Sequence, residues 1–306
     1  MNAVIVTSAE RGYFALAMGL VRSIRDAERA TGAAQPLTIK LLDIGLEPGQ
    51  REKFAGLCDV VEVPGYYVPV DRTDHEQPWL RAMALRPYLR EYLPGHELYV
   101  YLDADTWVQN LGDLRLLMQA GAYRGLALVP MIDRTYEELY RKDSELLLWM
   151  NKVHREVYGD TRAEALLFLP GLNCGVFAAR HDSPLWEPFG SYLHEVFEKA
   201  KRIIDQPAFH AAIYEKQVPF YSLPSRFNWI CIRGLPHVDL NRRLLTAPGI
   251  PFEPLGIVHL TNRLIAKQIP LVCNDGKKRP IPLDYFGFHR AFRERSPAAA
   301  AGKGSE

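Results

Sequence analysis

Asp103-Ala104-Asp105 places two carboxylates two positions apart, directly after Leu98-Tyr99-Val100-Tyr101-Leu102, the clearest strand in the sequence. On extended backbone, side chains at i and i+2 share a face about 6.6 Å apart, and a turn at the strand end brings them closer to one cation. Hard divalent ions prefer carboxylate and phosphate oxygens, so a metal held there could bridge the protein to a diphosphate. Acidic residues also cap strand ends and turns, which is the plainer reading of a bare Asp-x-Asp. Here the pair lies between an apolar strand and Thr106-Trp107-Val108, where two unpaired carboxylates would repel each other and resist desolvation. A metal resolves that cost.

The elements that must position this pair follow from periodicity. Short apolar runs alternate with amphipathic segments through the first 130 or so residues, the pattern of strand-helix-strand units around a mainly parallel sheet, so the fold class is α/β. Strands are expected at Val4 to Val6, Leu37 to Leu42 and Val60 to Val63. Helices are expected from Phe14 to a stop at Thr31-Gly32 and from Pro48 to Leu57. Gly65 to Pro78 reads as a loop. A helix follows from Trp79, and Pro87, which lacks the N–H that a helix interior uses, opens a second one at Arg86-Pro87-Tyr88. The strand at Leu98 to Leu102 is apolar or aromatic on both faces, as in a central strand covered on both sides, and open sheets bind ligands outside the carboxyl ends of such strands.

The second half reads as an α+β extension of the same domain. It has a charged helix from about Tyr136 to Tyr158, a strand-turn-strand at Leu166 to Ala179, helices near 185–201 and 207–215, and Pro-rich turns from Ile269. One domain is expected over 1–290, with 291–306 a C-terminal tail that is disordered from about 296.

Composition narrows the class. The 306 residues are 48% hydrophobic and 24% charged, which excludes a collagen-like or wholly disordered chain. Lys plus Arg number 37 against 36 Asp plus Glu, a net charge of +1 without one-signed blocks, so nucleic acid is not an expected partner. Cys58, Cys174, Cys231 and Cys273 show no paired spacing for zinc or redox chemistry and read as core thiols of a reducing compartment. With no signal-peptide core and no apolar run of about 18 residues, the expected location is the cytoplasm, with peripheral membrane association left open.

At the motif level the sequence resembles the metal-dependent nucleotide-sugar glycosyltransferases of the GT-A fold, above all the retaining glycosyltransferase family 8. The resemblance rests on segments in order: Tyr99 to Asp105, Gly171-Leu172-Asn173-Cys174-Gly175-Val176-Phe177, Asp205-Gln206 opening a helix, and Val258-His259. The start of the chain, Val4 to Ile24, fits the family's nucleotide-binding strand and helix. The resemblance implies a Rossmann-like sheet and a metal held by Asp103, Asp105 and His259. The ion would be Mn²⁺, with Mg²⁺ the alternative, since an imidazole among oxygens favours manganese.

It further implies that Asn173 offers a donor and an acceptor to sugar hydroxyls, and that Ala104 and Gly175 let backbone pass close to the donor. Asp205 would accept hydrogen bonds from the sugar, and Gln206 would lie near the anomeric carbon, opposite the leaving group. Thr7, Ser8 and Tyr13 would contact the nucleotide, and Arg86 and Lys267 the diphosphate. The plainer readings are a β-turn at Asn173 to Gly175, helix capping by Asp205 before Pro207, a structural His259 and a surface Arg86. The chain departs from the family in having Glu10-Arg11-Gly12 after the first strand, where an acidic pair is usual. It also has Ile265, with Lys267-Gln268 beyond it, where a Lys-Pro pair is usual.

The function these segments imply is transfer of a sugar from a nucleotide diphosphate, by resemblance UDP, to an acceptor hydroxyl on a carbohydrate, lipid or protein, with retention. The alternatives are a nucleotidyltransferase and a non-catalytic nucleotide-sugar-binding protein.

Overall fold

The computed structural model describes residues 1–68, 78–261 and 268–293, so Lys267, most of the Gly65 to Pro78 loop and the tail from 296 lie outside the described residues. In chain order the first half comprises β1 (Ala3–Ala9), α1 (Phe14–Thr31), β2 (Thr38–Asp43), α2 (Pro48–Glu52), β3 (Asp59–Glu62), α3 (Leu80–Leu85), α4 (Leu89–Tyr92), β4 (Leu98–Leu102), β5 (Thr106–Val108), α5 (Leu111–Arg124) and β6 (Leu126–Pro130). The second half comprises α6 (Glu145–Leu167), β7 (Leu172–Arg180), α7 (Trp186–Ala200), α8 (Asp205–Glu215), β8 (Tyr221–Ser222), β9 (Trp229–Ile230), β10 (His237–Asp239), β11 (Leu244–Thr246), β12 (Ile257–His259), β13 (Gln268–Val272), β14 (Lys278–Pro282) and α9 (Tyr285–Arg293).

Alternation of side chains along extended backbone explains the central layer. In β4, Tyr99 and Tyr101 enter one core with Val4, Val6 and Phe177, while Leu98, Val100 and Leu102 enter another with Ile5, Val176 and Ala178. All five residues of β4 are fully buried, as expected of a strand covered on both faces. The sheet order is β3-β2-β1-β4-β7-β6-β8. Within it, β7 runs antiparallel to both neighbours, β4 and β6, and the other pairings are parallel.

That single reversal shapes the ligand edge of the sheet. The parallel strands bring their carboxyl ends, Ala9, Asp43 and Leu102, to one edge, and β7 brings its beginning, Leu172 to Gly175, to the same edge. The smaller β5-β12-β9 sheet and the β10-β11 and β13-β14 pairs form the α+β extension. Among the described residues no helix is long and apolar enough to cross a membrane.

Helix α1 ends where expected, with Gly32 in the left-handed conformation (φ 61°) that closes a helix at low cost. Other boundaries differ. The expected helix from Tyr136 to Tyr158 is a short 3-10 turn at Glu137–Tyr140, then α6, whose start is set by the Ser144 hydroxyl accepting from Leu147 N–H. Gly159 (φ 72°, ψ 169°) breaks α6 one residue after the expected end, and helix resumes to Leu167. Leu166 packs into the core from that helix, so only the second arm of the expected strand-turn-strand forms. The expected Pro48 to Leu57 helix is regular only as far as Glu52. Three of the four cysteines are buried, and Cys58 is half-buried.

Between α8 and α6, His210 and His154 are buried with ring centroids 5.3 Å apart. His210 Nε2 faces the Pro170 carbonyl at 3.2 Å, and Nδ1 has no partner. Burial first, then the neighbouring His154, pushes the His210 pKa down to about 4. The unfolded chain takes up this proton near pH 6.5 and the folded one only near 4, so the stabilisation is complete above 6.5 and is lost as pH falls towards 4. The full effect is about 3 kcal/mol. Urea unfolding between pH 7 and 4 should therefore show a steeper loss of stability in the wild type than in His210→Phe, in which Tyr214 OH still donates to the Pro170 carbonyl at 2.8 Å. Equal slopes would show that His210 does not stay neutral.

Candidate active site

The edge defined by the reversed β7 holds a cavity of about 220 Å³. Ser8, Tyr13, Arg86, Asp103, Ala104, Asp105, Asn173, Gly175, Asp205, Gln206 and His259 all line it, so nearly every residue singled out in the sequence converges there. Thr7 does not. It is fully buried on the strand face opposite Ser8, and its hydroxyl has no partner. Ser8 Oγ lies 3.0 Å from Tyr101 OH, so its hydroxyl is shared with the core.

Two backbone pairings assemble the acidic end. Asp103 N–H donates to the Gly175 carbonyl (2.8 Å), which sets the start of β7 against the end of β4. Strand β12 pairs antiparallel with β5, matching His259 to Thr106, and Leu260 N–H donates to the Asp105 carbonyl (3.0 Å). His259 Nε2 therefore sits 3.4 Å from Asp105 Oδ1 and 3.8 Å from Asp103 Oδ2. Ligand atoms of the three residues lie within 4.8 Å of one another.

The tautomer follows from Asn228, which sequence reasoning missed. His259 Nδ1 lies 2.9 Å from Asn228 Oδ1, so a neutral imidazole donates there and leaves the Nε2 lone pair facing the carboxylates. Asn228 Nδ2 in turn donates to Asn173 Oδ1 (3.0 Å), which also accepts from Gly175 N–H (3.0 Å). The Asn173 carbonyl is thus committed, and of the donor and acceptor expected of it only the amide N–H groups remain to offer a ligand. Gly175 is required by space: a Cβ there would lie 2.2 Å from Asp103 Oδ2 and 2.7 Å from His259 Cε1.

Arg86 is not the surface residue of the plainer reading. Its side chain is 6% exposed, and Nη1 pairs with Asp205 Oδ2 while Nη2 pairs with Asp103 Oδ1. Its Cζ lies 5.0 Å from the centroid of the Tyr101 ring. Burial alone would lower its pKa, but Asp103 outweighs this and holds it well above the usual value. Asp205 is likewise not a helix cap. Ile204 occupies the cap position without a side-chain bond, and the Asp205 carboxylate reaches Arg86 instead. Gln206 Nε2 points to Met131 Sδ at 3.5 Å.

The electrostatics are lopsided. Four carboxylates line the cavity, those of Glu10, Asp103, Asp105 and Asp205, against the single guanidinium of Arg86 among the described residues. Burial lowers the His259 pKa, yet Asp105 and then Asp103 raise it further, for a net upward shift. Burial, then Asp105 and Asp103, also push the Tyr13 phenol up, leaving it a neutral donor. This negative potential, two carboxylates with one free imidazole nitrogen, and a pocket that a methyl at Gly175 would fill together fit a hard divalent cation. Glu10 and Cys174, from two of the segments read in the sequence, also line the cavity, as do Ile44, Met83 and Thr261, which no local pattern marks.

No protein-family model and no curated protein sequence matches the chain. Among solved structures, the galactosyltransferase LgtC, in complex with donor and acceptor sugar analogs, has a TM-score of 0.52 at 15% identity, covering 95% of this chain and 95% of its own. This chain has the GT-A glycosyltransferase fold. The bifunctional glycosyltransferase WbbM, in its apo structure, has a TM-score of 0.51 at 14% identity, covering 98% of this chain and 50% of WbbM. The expected fold class is met: a GT-A sheet whose parallel strands are interrupted by a reversed one, with an antiparallel extension.

Two outcomes are expected of the network. If the cluster holds Mn²⁺, as proposed below, Asn228→Ala should weaken its binding by about 10- to 100-fold, as loss of a group orienting a metal-bound histidine does, with little change in the unfolding midpoint. Titration followed by the Mn²⁺ paramagnetic signal measures it, and unchanged affinity would remove Asn228 from the site. Gly175→Ala should abolish that binding, leaving the signal of the free ion, at concentrations that saturate the wild type.

Proposed function

We propose that this protein is a metal-dependent glycosyltransferase that moves a sugar from a nucleotide diphosphate, UDP-linked, to an acceptor hydroxyl with retention at the anomeric carbon. The observation that carries the reading is the convergence of Asp103, Asp105 and His259 at the carboxyl edge of a GT-A sheet, with Asp205, Gln206 and Asn173 on the same cavity. The neighbour of known activity, LgtC, is a galactosyltransferase solved with donor and acceptor analogs, which supports the same class here.

Asp103, Asp105 and His259 would hold Mn²⁺, which when bound neutralises the charge that develops on the departing diphosphate. Arg86 fixes Asp103 and Asp205 relative to each other, so the metal end and the sugar end of the donor are registered by one side chain. The Asn173 amide donates to a sugar hydroxyl, while Asp205 accepts through the oxygen that Arg86 leaves free. Tyr13, kept protonated, donates to the nucleotide.

The Gln206 amide is a poor nucleophile, which argues against a covalent glycosyl intermediate. Front-face attack satisfies retention: the acceptor oxygen bonds to the anomeric carbon as the bond to the diphosphate breaks, and the acceptor proton passes to the departing phosphate oxygen. Transfer of a sugar is favoured over transfer of a nucleotidyl group by the loop after β1. There Glu10 accepts from Gly12 N–H (2.7 Å), occupying with a carboxylate the amide that a phosphate-cradling loop would keep free.

Thermal unfolding in the presence of UDP, GDP, ADP and CDP tests the donor class. UDP with Mn²⁺ should raise the midpoint, and chelator should remove the shift. Stabilisation by a different nucleotide would correct the donor, and no shift with any would sink the reading. Asp105→Asn should lower turnover by about 10²- to 10³-fold while leaving the unfolding midpoint close to that of the wild type.

A further inference from the structure

Across Met131 from the donor cavity lies a second cavity, of about 310 Å³. Thr135, Glu138, Arg141, Arg233, His237 and Lys278 are among its walls. Met131 Sδ accepts from Gln206 Nε2 at 3.5 Å and from Arg233 Nη2 at 3.4 Å, so one sulfur atom separates Arg233 from the residue placed beside the anomeric carbon.

Arg233 is the unusual member. It is 3% exposed. Its hydrogen-bond partners among the described residues are two thioether sulfurs, Met131 and, at 3.7 Å, Met150, and its Nε has no partner. Thioether sulfur is a weak acceptor, and a guanidinium carries five donors in a planar fork. Arg86, buried to a similar degree, is paired with two carboxylates, as the cost of burying a charge demands.

The acids on the cavity wall do not supply that pairing. Glu137 is exposed, and Glu138 Oε2 accepts from the Ser144 hydroxyl and acts on Arg233 only at longer range. Arg141 is paired with Asp143 at 3.4 Å, while Lys278, exposed, adds a second positive group to the walls. A planar fork with free donors on the wall of a cavity fits an oxyanion, a carboxylate or a phosphate.

We propose that this second cavity seats the acceptor and that the acceptor is acidic, its carboxylate or phosphate pairing with Arg233. The inference rests on the glycosyltransferase reading, which is what requires an acceptor next to Gln206.

Calorimetric titration of the full chain with methyl β-glucuronide, glucose 6-phosphate and the neutral methyl β-glucoside tests it. At least one anionic probe should bind about 10- to 100-fold more tightly than the glucoside, and the tighter of the two names the acidic group. Arg233→Met should erase that preference, and Arg233→Lys should restore part of it. Stabilisation by UDP and Mn²⁺ should be unchanged in both variants. On the exposed wall, where folding is not at stake, Lys278→Glu should weaken the anionic probes severalfold.

Equal binding of charged and neutral probes would overturn the proposal, as would a preference that survives Arg233→Met or an unaltered affinity in Lys278→Glu. A charge preference without stabilisation by any of the four nucleoside diphosphates would overturn the acceptor role together with the transferase reading. Loss of the preference alone, with UDP stabilisation intact, would overturn only this inference.

Discussion

One guanidinium holds the candidate site in register. Arg86 stands on a 3-10 turn between α3 and α4, packed over the Tyr101 ring, and reaches carboxylates on two other elements, Asp103 after β4 and Asp205 at the start of α8. Two buried carboxylates facing each other without it would repel and resist leaving water. With it, each has a charge-assisted hydrogen bond, and the end of the central strand is tied to the helix that carries Gln206. Removing one member of such a buried network leaves the others uncompensated, so these residues behave as a unit.

The second constraint is topological. A wholly parallel sheet would present only strand ends at its ligand edge, and Asn173 and Gly175, near the beginning of β7, would lie at the far side. Because β7 is reversed between β4 and β6, its first residues sit beside Asp103, and the Gly175 backbone passes where a side chain would intrude on both Asp103 and His259. The β5-β12 pairing then delivers His259 to Asp105. Residues from three separated parts of the chain are thus brought together by backbone hydrogen bonds within and beside the sheets, with Asp103 and Asp105 on the short turn between β4 and β5.

These causes explain what the sequence showed and what it hid. Strand β4 was legible because five consecutive apolar residues followed by two acids are a local pattern, and Asp103, Asp105, Asn173, Asp205, Gln206 and His259 stood out because each lies in a short recognisable run. The contacts that give them their states are not local. Arg86 meets Asp205 across 119 positions, Asn228 meets His259 across 31 and Asn173 across 55. Nothing near Asn228 marks it, and nothing near Arg86 distinguishes a buried bridge from a solvated arginine. The start of α6 was missed because a single side chain, the Ser144 cap, decides it while the charge run reads through it; the expected stop at Tyr158 meets the Gly159 break, but the helix resuming beyond it to Leu167 runs into residues expected to start a strand.

The bridge also bears on how the site handles charge. A net charge of +1 over the chain conceals a cavity in which four carboxylates outnumber one guanidinium among the described residues. Arg86 spends Nη1 and Nη2 on Asp205 and Asp103, so gripping a diphosphate with those donors would mean releasing the acids it positions. Positioning and clamping compete in one side chain, and the geometry favours positioning. On the proposed function, the attraction for an anionic donor would come from a cation on Asp103, Asp105 and His259, and the excess of acid would then serve diphosphate binding rather than oppose it. Asp103 would likewise serve two cations, Arg86 through Oδ1 and a metal through the other oxygen, Oδ2, which faces His259. A shift in either partner would then be felt by the other through a single carboxylate.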